Sequence, residues 1–274
     1  PDMTTRRITS VAIACAVAAL VLAIVATASL ALGSRQIAPA VVWDALVHGG
    51  VSQDAQVVTQ LRVPRTIAAL IIGGALGLAG SIMQAMTRNP LADPGVLGIN
   101  AGAAFVVVTV TAATGVTTRM GTLVASLLGA GVAAALVFAV SGSGGGSRSR
   151  LALAGIAVSA ALASLTQAVL AANQFAFNEF RYWASGSLEG VDMASVVAAG
   201  AVIACGGVVA ALISSALGVL AIGEDTAVSL GVRVRLIRTL GVVAVTALAG
   251  GATALGGPVT FVGLAVPLLV LGRG

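Results

Sequence analysis

No lysine occurs in this 274-residue chain, which carries one histidine, two cysteines and only 3% aromatic residues. Without lysine there is no Walker A phosphate clamp, no Schiff base and no lysine general base. One histidine and two distant cysteines leave no multi-histidine or Cys/His zinc set. Charge is scarce too, at 8% of residues against roughly a quarter in soluble domains. Instead the chain is 58% hydrophobic, with a mean hydropathy of +1.09 and 35 glycines. Small residues at that density let helices pack closely in lipid. The composition predicts an all-α, polytopic transmembrane helical bundle with no catalytic centre and no cofactor of its own.

All 14 basic residues are arginines, and the formal charge is +5. Nucleic-acid binders gather such charge on one solvated face, often among aromatics. These arginines instead punctuate apolar runs, as topology signals do, so no nucleic-acid partner is expected. A spanning helix needs about 20 mostly apolar residues. Runs of that kind lie near 8–33, 66–86, 96–114, 121–140, 151–172 and 193–217, with shorter glycine-interrupted runs at 239–256 and 258–272. The first run is too long for a signal core and lacks a cleavage region, so it reads as a retained helix. The opening at Pro1 reads as a trimmed start. No hydrophilic stretch is long enough for a second domain, so 1–274 reads as a single transmembrane domain.

With the N-terminus cytoplasmic, Arg6, Arg7, Arg88, Arg148, Arg150, Arg233, Arg235, Arg238 and Arg273 fall inside. Arg35, Arg62, Arg65, Arg119 and Arg181 fall outside. The excess of inner arginines supports that orientation. All nine acidic residues sit in connectors or at helix ends. Ion-coupled carriers keep ionisable groups near mid-membrane to bind the coupling ion, so their lack here points to an energy source elsewhere. Cys15 and Cys205 lie deep in apolar runs and read as small buried hydrophobes.

Several constellations stand out. Ala69, Gly73, Gly77 and Ser81 recur every four residues, a ridge for internal packing or a subunit interface. Arg62-Val63-Pro64-Arg65 places two arginines on the external side, with Pro64 near a helix start. They form either an anion-binding surface or a headgroup anchor. Arg88-Asn89-Pro90-Leu91-Ala92-Asp93-Pro94-Gly95 forces a rigid inner turn in which Asn89 and Asp93 can satisfy freed backbone donors. Its polar length suits a simple turn, a gate or a partner contact. In the inner connector, Gly223, Glu224 and Asp225 precede a short amphipathic stretch that runs through Ser229 and Leu230 to a capping Gly231. That stretch either plugs into a soluble partner or lies as an interfacial turn held by Arg233, Arg235 and Arg238.

The remaining features read more simply. Trp43 and His48 look interfacial and solvated, and Tyr182 and Trp183 look like an aromatic belt beside a re-entrant or surface helix. The glycine-rich run from Ser141 to Ser149 lacks a lysine and a preceding strand, so it reads as a flexible loop rather than a phosphate loop. Ser159, Ser164, Thr166 and Gln167 on the fifth run suit a transport path or helix packing equally.

Four blocks together resemble the FecCD family, the permease subunits of ABC importers for iron–siderophores, haem and vitamin B12. Arg62 to Thr66 resembles its R-x-P-R-T opening, and Gly80 to Gly102 (GSIMQAMTRNPLADPGVLGINAG) its longest signature. Leu220 to Val232 resembles its L-G-E connector, and Gly257 to Pro267 (GPVTFVGLAVP) its G-x-I-x-F-V-G-L-x-x-P block. The resemblance implies that Arg62 and Arg65 dock an extracytoplasmic substrate-binding protein. It implies that Gly223, Glu224, Asp225, Ser229, Leu230 and Gly231 couple to an ATPase, and that Asn89 and Leu91 belong to an inner gate. Implied partners are two ABC ATPase subunits, a second permease subunit (identical or not) and membrane lipid. The implied setting is the bacterial cytoplasmic (inner) membrane, and the implied cargo an iron–siderophore-type chelate, with vitamin B12 or haem as alternatives. The resemblance also implies ten spans, against about eight visible here, so the family's C-terminal region with a third docking arginine is expected to be either truncated or omitted, with the residues present joined across a gap.

Overall fold

The computed structural model describes residues 3–33, 36–49, 52–115, 118–141 and 148–271. Arg35, Arg273 and residues 142–147 of the glycine-rich loop lie outside the described residues. Among the described residues every regular element is helical. In chain order these are α1 (Met3–Ala31), α2 (Pro39–His48), α3 (Gln53–Gln56), a π-helical segment (Val57–Arg62) and α4 (Val63–Thr87). A 3-10 turn (Pro94–Leu97) leads into α5 (Ile99–Thr114), then α6 (Arg119–Ser141), α7 (Arg148–Ala172) and α8 (Gln174–Ala184). The chain continues through α9 (Met193–Ile222), α10 (Glu224–Ser229), α11 (Val234–Gly256) and α12 (Val262–Leu271). It divides into two compact units, 1–67 and 68–274.

In the first unit, α2, α3 and the π segment gather around a small core of Ile37, Val42, Ala45, Ala55 and Val58. The second expected span begins earlier than its apolar run, because helix continues unbroken from Gln53 to Thr87. Pro64 has no N–H to donate and would clash with the preceding turn of a regular helix. The wider π turns of Val57–Arg62 lie immediately before it and relieve that clash. The expected helix start at Pro64 is therefore a point inside a helix. Ser29 and Thr66 hydroxyls meet at 2.9 Å, joining α1 to the first turn of α4.

In the second unit, α9 packs along α11, α5 along α6, and α6 and α7 flank them. Gly102 of α5 and Gly129 of α6 face each other so closely that a Cβ on Gly102 would sit 2.3 Å from the Gly129 carbonyl oxygen. Only glycine permits that approach. A cross-helix polar tie lies in the core, Thr253 Oγ1 donating to Asn100 Oδ1 at 2.8 Å. Thr253 is almost wholly buried, so this bond satisfies groups that would otherwise be costly to bury.

Among the described residues six helical stretches are long and apolar enough to cross a membrane: Ala12–Ala31, Gln53–Thr87, Arg119–Ser141, Arg150–Ala172, Met193–Ile222 and Val234–Gly256. The other two expected spans are shorter helices. The run from 96 splits into the buried Pro94–Leu97 turn and the 16-residue α5. The last run yields only the 10-residue α12, which contains Pro267.

Two packing expectations change. Cys15 and Cys205 are free thiols exposed on the outer helix faces rather than buried in the core. The Ala69–Ser81 ridge is also split. Gly77 is buried against Val266 of α12, whereas Ala69 and Ser81 are exposed and Gly73 faces open space.

Candidate functional site

The end of the second unit that gathers Arg88, Leu220, Glu224 and Arg238 is built from three chain breaks. Helix α4 stops at Thr87 because Arg88 takes a left-handed backbone (φ 49) and Pro90 follows. Asn89 Oδ1 accepts from the Leu91 N–H at 2.9 Å, and Asp93 Oδ1 accepts from the Gly95 N–H at 2.7 Å. These side chains cap the donors freed by the break, as their types predicted. Asn89 and Leu91 are both exposed, Leu91 by 65%. Immediately beyond them the chain dives inward. Pro94 and Leu97 are buried, and the Val96 carbonyl presses on Gly155 of α7, where a Cβ would lie 1.7 Å from it.

The second break is Gly223, whose extended backbone separates α9 from α10. The third is the turn after α10, where Gly231 (φ 77) reverses the chain and Val232 N–H donates to the Ala227 carbonyl at 2.9 Å. Buried Ala227 anchors α10, while Ile222, Asp225, Val228, Ser229 and Leu230 are exposed. Glu224 turns back instead, accepting from Arg238 Nη2 of α11 at 2.8 Å. On the other side Arg88 Nε donates to the Leu220 carbonyl near the end of α9 at 2.9 Å. The residues singled out as coupling and gate positions thus share one end of the bundle. Sequence reading took Arg238 only as an interfacial anchor and missed both its pair with Glu224 and the attachment through Arg88.

The opposite end collects Arg119, Asn173, Trp183, Glu189 and Gly257. Asn173 caps α8 by accepting from the Ala176 N–H at 2.9 Å, and its amide donates to the Ala112 carbonyl at 3.4 Å. Arg119 donates to the Glu189 carbonyl. A cavity of about 500 Å³ opens here, lined by Arg119, Glu179, Trp183, Ser195 and Leu255 among others. Asp192, just before α9, is held below the usual carboxylate range, chiefly by the Ser195 hydroxyl, with backbone N–H groups and Arg119 adding. Tyr182 is 77% exposed on α8, as an aromatic-belt residue would be.

In the first unit the two docking candidates part company. Arg62 is only 9% exposed, and its Nη1 donates to the carbonyls of Leu30 and Ala31, both at 2.8 Å. It closes the C-terminal end of α1, where unpaired carbonyls accumulate. Arg65 is exposed. His48 Nδ1 and Asp44 Oδ1 pair at 2.9 Å in the open, and Trp43 is 69% exposed, as a solvated connector requires. Among the described residues no cluster of three or more His, Cys, Asp or Glu side chains could hold a metal.

The family model described as the FecCD transport family matches residues 10–271. The ferric enterobactin transport permease FepD of Escherichia coli is 42% identical over 251 residues, covering 90% of this chain and 75% of that protein. The Fe(3+)-citrate import permease YfmD of Bacillus subtilis is 35% identical, covering 84% of this chain and 66% of its own length. The hemin transport permease HmuU of Yersinia pestis is 33% identical, covering 77% and 64%. A solved inward-facing ABC transporter of the metal-chelate type superposes with a TM-score of 0.78 at 26% identity, covering 92% of this chain and 78% of that one.

Proposed function

This chain belongs to the FecCD transport family, and on that premise we propose that it is the membrane permease subunit of a binding-protein-dependent ABC importer in the bacterial cytoplasmic membrane. Its cargo is an iron–siderophore-type chelate, as the names of its ferric enterobactin and ferric citrate relatives suggest. Two separate ATPase subunits hydrolyse ATP, a second permease completes the path, and an extracytoplasmic binding protein delivers the cargo.

One observation carries the reading. Helix α10 hangs at one end of the bundle between two long helices, and Val228 within it, with Ile222 and Leu230 at its flanks, is exposed there. Apolar side chains on a polar connector, fixed by an ion pair and a buried alanine, make a plug for a partner's cleft. ATP-driven closure of the ATPases displaces α10, and the bundle changes between outward- and inward-facing states by their differential affinity for the nucleotide-bound partner. Asn89 and Leu91 stand at the same end as the inner gate. At the other side of the membrane, Arg65 meets the binding protein's acidic groups, while Arg62 holds the end of α1 behind it. The exposed side of α7 bearing Ser164 and Gln167 is open to the second permease and the cargo path.

The test is purification of the native complex in mild detergent, with ATPase assays on wild type and on a variant replaced at Val228 and Leu230. A stoichiometric ATPase that is lost in the variant supports the reading. A wild-type chain that recovers no ATPase, and whose uptake follows an ion gradient, overturns it in favour of a secondary carrier. Competition uptake with ferric siderophores, haem and cobalamin identifies the cargo.

A further inference from the structure

Arg88 occupies a position where arginine is disfavoured. Its backbone lies in the left-handed region (φ 49), which glycine and asparagine enter readily and arginine does not. A turn needing only that geometry would be better served by either. The side chain shows what arginine adds. Nε donates at 2.9 Å to the Leu220 carbonyl, a residue 132 positions away and almost fully buried. Nη2 of the same guanidinium is buried and finds no partner among the described residues. Leu220 lies in the last turn of α9, where carbonyls lack intrahelical partners and the helix dipole is negative. A cation there is well placed, and its spare donor can move to a neighbouring carbonyl as that turn shifts.

We propose that Arg88 is a transmission latch, a positioning residue that ties the Asn89–Leu91 turn to the elbow between α9 and α10. This rests on the importer reading above, in which α10 receives the ATPase motion and the turn gates the path. Only three residues separate Leu220 from Glu224, and Glu224 is itself fixed to Arg238 of α11. Displacing α10 therefore pulls the last turn of α9. Arg88 passes that pull to the turn through one hydrogen bond, with Nη2 free to take the next carbonyl. The positive φ is retained because it aims the side chain back at α9.

The test uses the complete complex of permeases, ATPases and binding protein in proteoliposomes, with Arg88→Gly, Arg88→Asn and Arg88→Lys. Glycine and asparagine suit the backbone better than arginine, so these variants keep the turn while removing the latch. The expected result for both is a melting temperature within a few degrees of wild type, relief of the left-handed backbone offsetting the lost hydrogen bond, with normal ATPase co-purification and basal hydrolysis and a fall of tenfold or more in substrate moved per ATP. Arg88→Lys, which can still donate to a carbonyl, recovers part of that ratio. A wild-type ratio in Arg88→Gly or Arg88→Asn overturns the latch. So does a loss of uptake that only follows loss of melting temperature or of bound ATPase, since Arg88 would then be merely structural. A wild-type complex with no ATP-driven uptake defeats the importer reading itself and the latch with it, and is seen before any variant is compared.

Discussion

The guanidinium of Arg62 donates to the Leu30 carbonyl at 2.8 Å, across 32 residues, so the first arginine of the R-x-P-R block is a helix cap within its own unit. Arg65, three positions on, is exposed. Two residues that read as equivalent in sequence therefore have separable roles. Arg65→Glu is expected to weaken binding-protein affinity about tenfold while leaving thermal stability unchanged, since charge reversal in an exposed docking site acts on association. Arg62→Ala is expected to lower stability by about 1–3 kcal/mol, because helix-end carbonyls lose a charged donor in a buried place. Titration of binding protein and a thermal melt on each variant separate the two. Weaker docking in Arg62→Ala with an unchanged melt would reverse the assignment.

Glu224 and Arg238 form a partly exposed pair, so their contribution to stability is about 1 kcal/mol or less. The pair matters for where α10 sits. Arg238→Glu sets two carboxylates against each other and is expected to disconnect substrate-stimulated ATP hydrolysis from uptake, with little change in melting. The exchange Glu224→Arg with Arg238→Glu restores opposite charges and is expected to recover much of the coupling. The recovery is incomplete, because a cation in the first turn of α10 is less favourable than an acid. An exchange variant no better than Arg238→Glu alone would remove the ion pair from the mechanism.

Gly155 and Gly131 test the inward turn. A methyl group at Gly155 would meet the Val96 carbonyl oxygen at 1.7 Å, and backbone cannot yield as a side-chain tip does. Gly131, in the adjacent α6, has nothing within 4 Å. Gly155→Ala is expected to destabilise by about 1–3 kcal/mol and to reduce uptake, because it pushes out the turn that follows Asn89 and Leu91. Gly131→Ala is expected to leave uptake intact and to raise stability by about 0.5–1 kcal/mol, as removing a helix-interior glycine does. Equal melting temperatures for the two variants would contradict the wedged position of Val96.

The helical class was legible because lack of charge and long apolar runs leave few alternatives. The turn at 88–95 was legible because its prolines, asparagine and aspartate act on neighbours within a few residues. Arg88 as an attachment was not, since its partner is a backbone carbonyl in a distant helix, and carbonyls carry no sequence signal. The start of the second long helix was hidden because Arg62 and Pro64 look like a boundary, and only the π turns before Pro64 let helix run through them. The tie between Asn100 and Thr253 was equally invisible, as both residues lie inside apolar runs that read as plain span.

The faces of α9 were the hardest to read, and neighbouring residues there make the sharpest test. That helix is apolar all round, so no periodicity separates its inner side from its lipid side. The structure does separate them. Cys205 is exposed, whereas a Cβ on Gly206 would lie 2.9 Å from the Ala247 side chain and 3.1 Å from the Ala244 carbonyl oxygen of α11. Leucine at 205 adds apolar surface facing lipid and displaces nothing, so Cys205→Leu is expected to melt within a few degrees of wild type and to transport normally. Leucine at 206 must part α9 from α11, and overpacking of that kind costs about 1–3 kcal/mol or more. Gly206→Leu is therefore expected to melt well below wild type and to lose uptake, because α9 and α11 together hold the base of α10. Thermal melts of the two variants in the same detergent decide the register of the helix. A tolerated Gly206→Leu beside a damaging Cys205→Leu would mean that α9 is rotated from the position described.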